Sequence, residues 1–112
     1  MGARLASGVV AAGLLRLAEQ AGGFGTVLRK GDADAGSIIL LLTERGKPMS
    51  TLERLLQPGG SYRWMEAPGV AKNPDEVDKF LEKRIRFDPD LWILELDTAS
   101  AERFAAEMTA FD

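Results

Sequence analysis

The sequence predicts an α+β domain: a mainly antiparallel sheet of about five strands with helices packed on one face of it, in the order α-β-β-β-β-α-β-α. Three observations predict it. Short apolar or alternating runs recur between Gly- and Pro-rich turns, as strands do. Three other stretches repeat their apolar residues at helical spacing. The chain has 112 residues, the length of a single domain spanning 1–112, and 46% of them are hydrophobic against 28% charged, a balance that supports a buried core.

In the first helix, over residues 4–21, Ala6, Val10, Leu14, Leu17 and Ala21 form the expected buried stripe, and Gly22-Gly23 ends it. Its other side carries Gly8, Ala11, Ala12 and Leu15, small enough to lie close against a sheet or another chain. Residues 24–30 form a strand and 31–36 a turn. Residues 37–43 are a continuous apolar strand, expected to be central and covered on both faces. Residues 45–48 turn again. Residues 50–56 carry both a capping-box pattern and the short span of a strand, and the span favours a strand. After the turn at 57–60, residues 61–66 form a strand with Tyr62 and Trp64 on one face. Residues 68–72 form a loop.

Asn73 then caps a helix with Pro74 at its first position and Asp75 and Glu76 in its first turn. Val77, Phe80, Leu81 and Ile85 form its buried stripe, and Pro89 stops it. Residues 91–97 form the last strand, with Trp92, Leu94 and Leu96 on one face. Thr98 or Ser100 caps a final helix that turns Ala101, Phe104, Ala105 and Met108 to the core. The first four strands are expected to follow one another as a meander.

Composition narrows the chemistry. The chain has no cysteine and no histidine. Thiolate chemistry, disulfides and zinc–sulfur sites are therefore excluded, and the usual neutral-pH general base is missing. The net charge of −3 is uneven: residues 88–112 hold seven acids against Arg103, a net −6, which leaves +3 for residues 1–87. An acidic chain is a poor candidate for binding nucleic acid. The apolar run from Leu5 to Leu15 is too short to span a bilayer and lacks a signal-peptide cleavage pattern, so a cytoplasmic protein without membrane association is expected.

A dinucleotide pattern is incomplete at Gly23-Phe24-Gly25 and a phosphate-loop pattern at Gly46-Lys47-Pro48, and Asp32-Ala33-Asp34 lacks the rest of a calcium loop. The richest polar chemistry lies around the last strand: Arg84, Arg86, Asp88, Asp90, Trp92 and Glu95, with Asp97 beyond. In the structural reading, Asp88 or Asp90 satisfies backbone donors in the turn and pairs with Arg84 or Arg86. Strand alternation sends Asp90, Trp92 and Leu94 to one side and Leu91, Ile93, Glu95 and Asp97 to the other, so no specific metal site is expected, and no cofactor.

The run Arg86-Phe87-Asp88-Pro89-Asp90-Leu91-Trp92-Ile93-Leu94-Glu95-Leu96 resembles a bacterial family known as domain of unknown function 1491, as do Val27-Leu28-Arg29-Lys30-Gly31-Asp32 with Ala35-Gly36 and the opening helix around Leu15-Arg16. The resemblance implies a bacterial cytoplasmic setting and transfers no catalytic residue. The leading functional expectation is a non-catalytic interaction module, a homodimer joined through Gly8, Ala11, Ala12 and Leu15. The alternative is a small binding or hydrolytic domain for a phosphorylated or nucleic-acid ligand, with Arg84 and Arg86 holding phosphate and Asp88, Asp90, Glu95 and Asp97 holding a metal. A third reading is a ligand pocket lined by Tyr62, Trp64 and Trp92.

Overall fold

The computed structural model describes residues 6–67 and 73–109. Its elements are α1 (Ser7–Gln20), β1 (Phe24–Arg29), β2 (Ile38–Glu44), β3 (Lys47–Leu56), β4 (Tyr62–Glu66), α2 (Pro74–Phe87), β5 (Trp92–Asp97) and α3 (Ala101–Thr109). The expected order α-β-β-β-β-α-β-α is the order found. The loop at 68–72 and the core position of the Met108 side chain lie outside what is described.

The strands form one sheet in the order β1-β5-β2-β3-β4. Only β2, β3 and β4 make a meander. The expected four-strand meander fails because β5 inserts between β1 and β2, parallel to β2 from Ile38↔Trp92 to Thr43↔Asp97 and antiparallel to β1. Burial explains the insertion. β5 buries Trp92, Ile93, Leu94 and Leu96, and β2 buries Ile38, Ile39, Leu40 and Leu42, so these two strands take the centre. β1 carries Gly25 and Thr26 and has most of its residues exposed, and it takes an edge. Residues 50–56 are a strand because Ile39–Leu42 pairs with them on one side and β4 on the other.

Each face of the central strands has its own cover. Ile38, Leu40, Leu42, Trp92, Leu94 and Leu96 pack with Ala11, Leu14 and Ala18 of α1 and with Ala101 and Ala105 of α3. Ile39, Leu91 and Ile93 pack with Phe80, Leu81 and Ile85 of α2. The helices therefore cover both faces, not one. Each fully buried Leu or Ile contributes about 1.5–3 kcal/mol, so leaving Ile39 and Ile93 uncovered would forfeit a large share of a marginal stability.

The helix starts are set in two ways, one local and one long-range. Asn73 caps α2 as its sequence predicts, with Oδ1 accepting from Asp75 N–H at 2.8 Å. α3 instead begins under Glu44 of β2, whose Oε1 accepts from Ala101 N–H at 2.9 Å. α1 is rotated from the expected stripe. It buries Ser7, Ala11, Leu14 and Ala18, while Leu17 is 48% exposed. The loop before β2 fixes that rotation. The N–H groups of Ser7 and Gly8 donate to the carbonyls of Asp34 and Ala33, and the Ser7 hydroxyl donates to the Gly36 carbonyl at 2.6 Å. Two orphan donors of the helix start are thus satisfied by the loop.

Candidate functional site

Of the polar residues singled out in the sequence, Asp88, Asp90 and Trp92 meet at the start of β5, where three segments are tied together through the backbone. Asp88 ends α2 with its N–H donating to the Arg84 carbonyl at 2.9 Å. Its Oδ1 accepts from Asp90 N–H at 3.3 Å, an Asx turn that carries the chain past Pro89. The Asp90 carbonyl accepts from Asp32 N–H at 3.0 Å, and the Pro89 carbonyl accepts from Arg29 Nη2 at 2.8 Å. Asp32 in turn holds its own loop, its Oδ2 accepting from the N–H groups of Asp34 and Ala35. The Trp92 indole Nε1–H donates to the Asp32 carbonyl at 2.7 Å.

This junction exists because β1 and β2 are not neighbours. The connection between them must cross the start of β5, and it does so at backbone contact distance. A Cβ at Gly31 or at Gly36 would collide with the Asp90 carbonyl oxygen and the Trp92 ring.

The arginines and carboxylates are divided among separate tasks. Arg84 pairs with Glu53 of β3, across the α2 side of the sheet, and not with Asp88 or Asp90 as expected. It also lies 5.7 Å from the centre of the Phe80 ring. The reason is that α2 lies over β3, so the inner side of its last turn meets Glu53. Arg86 and Asp90 have exposed side chains, and Asp90 acts through its carbonyl. Glu95 is half-buried and its Oε2 accepts from the Thr43 hydroxyl at 3.0 Å.

Asp97, at the far end of β5, binds the β2–β3 turn. Its oxygens accept from Arg45 N–H at 3.0 Å, Gly46 N–H at 2.8 Å and the Thr43 hydroxyl at 3.0 Å. Burial pushes this carboxyl up, but the two backbone N–H groups and the Thr43 hydroxyl outweigh it and hold Asp97 below the ordinary carboxylate value. The six residues of β5 span about 17 Å, and Asp90 and Glu95 are five residues apart, so Asp88 and Asp90 cannot share a ligand with Glu95 and Asp97. Among the described residues no three His, Cys, Asp or Glu side chains come together as a metal site.

The aromatic residues are likewise divided. Trp92 is a core residue, Trp64 packs against the same core, and Tyr62 lies under Arg54, whose guanidinium sits 4.0 Å from the ring centre. They do not form a common wall.

Of the four small-face residues on α1, three are occupied by their own chain. Ala11 is in the core, Gly8 lies against Ala33 and Trp92, and Leu15 packs on the core beside Gly25. Only Ala12 is exposed. The close approach predicted for this face is therefore made to the chain's own sheet and loop.

Sequence reading missed the roles of Thr43, Glu44, Glu53 and Arg29. Each acts on a partner far away in the chain, and no local pattern marks such a partner. The one available signal was the alternation that places Thr43 on the same face as Ile39 and Leu41.

No helix among the described residues is long and apolar enough to cross a membrane. The model of the protein of unknown function DUF1491 matches residues 5–106. No curated protein matches the chain. Among solved structures, the chain is similar to the crystal structure of a DUF1491 family protein from Caulobacter crescentus CB15, at 31% identity with a TM-score of 0.77 over 86% of this chain and 90% of that one. It is similar to an NMR structure of a DUF1491 family protein from the same organism at 33% identity, with a TM-score of 0.75 over 87% of this chain and 89% of that one. A solution structure of a protein from A. tumefaciens matches at 28% identity, with a TM-score of 0.73 over 86% and 87%. Two of the segments that carry the resemblance, 27–36 and 86–96, are tied together at the start of β5, and with residues 5–106 matched the chain belongs to the DUF1491 family.

Proposed function

We propose that this protein is a non-catalytic interaction module of the bacterial cytoplasm, working as a homodimer joined through the β1 edge of its sheet. The observation that supports this is the surface of β1. It is an edge strand, and Phe24, Val27 and Leu28 are 56%, 42% and 49% exposed. Edge strands of soluble proteins usually carry charge or proline, or are kept very short, to prevent pairing. β1 carries no charge or proline before Arg29, and its ladder to β5 is irregular only between Val27 and Arg29. The opposite edge, β4, is five residues long and exposes Arg63 and Glu66.

A second copy suits this edge because antiparallel pairing about a two-fold axis through Thr26, placed opposite itself, is self-complementary. It sets Phe24 of one copy opposite Leu28 of the other and Gly25 opposite Val27, and it keeps the two Arg29-Lys30 ends apart. Gly8, Ala11 and Leu15 are engaged within the chain, so the interface assigned to them in the sequence moves to the strand beside them.

Sedimentation velocity across micromolar concentrations tests the proposal. A species of twice the chain mass is expected, and Val27→Lys should return it to the monomer. A single monomeric species at every concentration would remove the homodimer.

A further inference from the structure

The carboxyl end of the central strands carries a cleft. Because β2 and β5 are parallel, their carboxyl ends lie side by side. The α1–β1 connection, the β2–β3 turn and the start of α3 surround that end. Between them is a cleft of about 460 Å³, within the size range of small-molecule sites. Phe24 and Met49 supply its apolar lining, Arg45 and Lys47 its cations, and Thr98 a hydroxyl. Gly23 lets the α1–β1 connection press onto β5, since a Cβ there would collide with the Asp97 carbonyl oxygen.

The charges in this cleft are not equivalent. Its two carboxylates are engaged by backbone donors, Asp97 by the N–H groups of Arg45 and Gly46, Glu44 by that of Ala101. Neither Arg45 nor Lys47 has an ion-pair partner among the described residues. Arg45 also has a φ of 51°, a left-handed backbone at a turn position that Asn, Asp or Gly normally fills. A strained, cationic residue held by a buried carboxylate at the rim of a cleft is an outlier that points to binding.

We infer that this cleft binds a small organic anion: a phosphate or carboxylate held by Arg45 and Lys47, attached to a flat apolar group that packs on Phe24. An arginine fork suits either anion, and an exposed aromatic ring suits any planar body. Phe24 borders both this cleft and the β1 edge, whereas the cations that hold the anion, Arg45 and Lys47, lie on the β2–β3 turn outside that edge, so the inference rests on the cleft and not on the dimer.

The test is a titration of the ¹⁵N-labelled protein with phenyl phosphate at low ionic strength. Saturable shifts confined to the amides of Gly22, Gly23, Gly46 and Thr98 and their neighbours are expected, weakening as salt is added. Benzyl alcohol, which has the ring without the charge, should leave these amides in place. Arg45→Asn puts a residue suited to the turn at that position, so the fold is kept, and it should weaken binding about tenfold, the effect of one charge-assisted hydrogen bond. Amides that stay fixed at millimolar phenyl phosphate would overturn the inference. So would equal shifts with benzyl alcohol, or unchanged binding in a folded Arg45→Asn variant.

Discussion

The Trp92 indole donates its hydrogen bond to the backbone carbonyl of Asp32, 60 residues earlier in the chain, at 2.7 Å. That one bond ties the first strand connection to the start of the central strand. The same tryptophan packs its ring in the core between β2 and α1. It therefore joins the core to the junction at which the β1–β2 connection, the α2–β5 turn and the start of α1 all meet.

Trp92→Phe keeps a ring in place but removes the donor. The Asp32 carbonyl then loses its partner, and the smaller ring leaves space in the core. A loss of about 2–3 kcal/mol is expected from the two effects together. Thermal denaturation followed by circular dichroism should show a clear fall in Tm, and an unchanged Tm would show that the bond contributes nothing.

Gly36→Ala should be far more damaging than its single methyl group suggests. The added Cβ meets backbone at Asp90, which cannot move without breaking the Asp32 N–H bond to the same carbonyl. The expected cost is about 4 kcal/mol or more, the range reserved for core disruption. Gly13→Ala provides the control, since its Cβ would meet nothing within 4 Å and alanine favours a helix. Chemical denaturation of the two variants should move the midpoint in opposite directions.

Asp97 gives the fold an acid limb. Its folded pKa lies below its ordinary value of 3.8, so its stabilising contribution is complete above that value. The contribution is lost as pH falls from 3.8 through the lower folded value, because the native carboxylate must then be protonated. Asp97→Asn should cost about 1–3 kcal/mol at neutral pH by exchanging a charged acceptor for a neutral amide at the turn. Urea denaturation from pH 7 down to 2 should show a shallower decline in the variant than in the parent. Parallel curves would mean that Asp97 is not the titrating group.

Asp88 and Asp90 should separate under mutation. Asp88→Ala removes the turn acceptor and should cost about 1 kcal/mol. Asp90→Ala leaves its carbonyl in place and should stay within about 0.5 kcal/mol of the parent, as exposed side chains do. Equal losses in the two variants, measured by thermal melts, would assign a structural role to the Asp90 carboxylate as well.

Local order in this protein follows from signals that act over a few residues. Asn73-Pro74 sets the start of α2 because a capping amide and a proline act within one turn of chain. The run Ile38–Leu42 announces a strand covered twice because every residue in it is apolar. Pro89 and the Asp88 side chain stop α2 through neighbours one or two residues away. Which strand sits beside which depends instead on the assembled sheet. β1 precedes β2 in the chain but pairs with β5, because the two most apolar strands compete for the centre and displace β1 to the edge. That exchange sends the connection 31–36 across β5 and creates the junction around Trp92. It also rotates α1 onto Ser7, Ala11, Leu14 and Ala18. The carboxylates were visible in the sequence, but their partners were not. Thr43 finds Asp97, Glu44 finds Ala101 and Arg84 finds Glu53 only when the sheet is assembled. Periodicity tells a side chain which way to face, whereas the atom it meets there comes from a distant part of the chain.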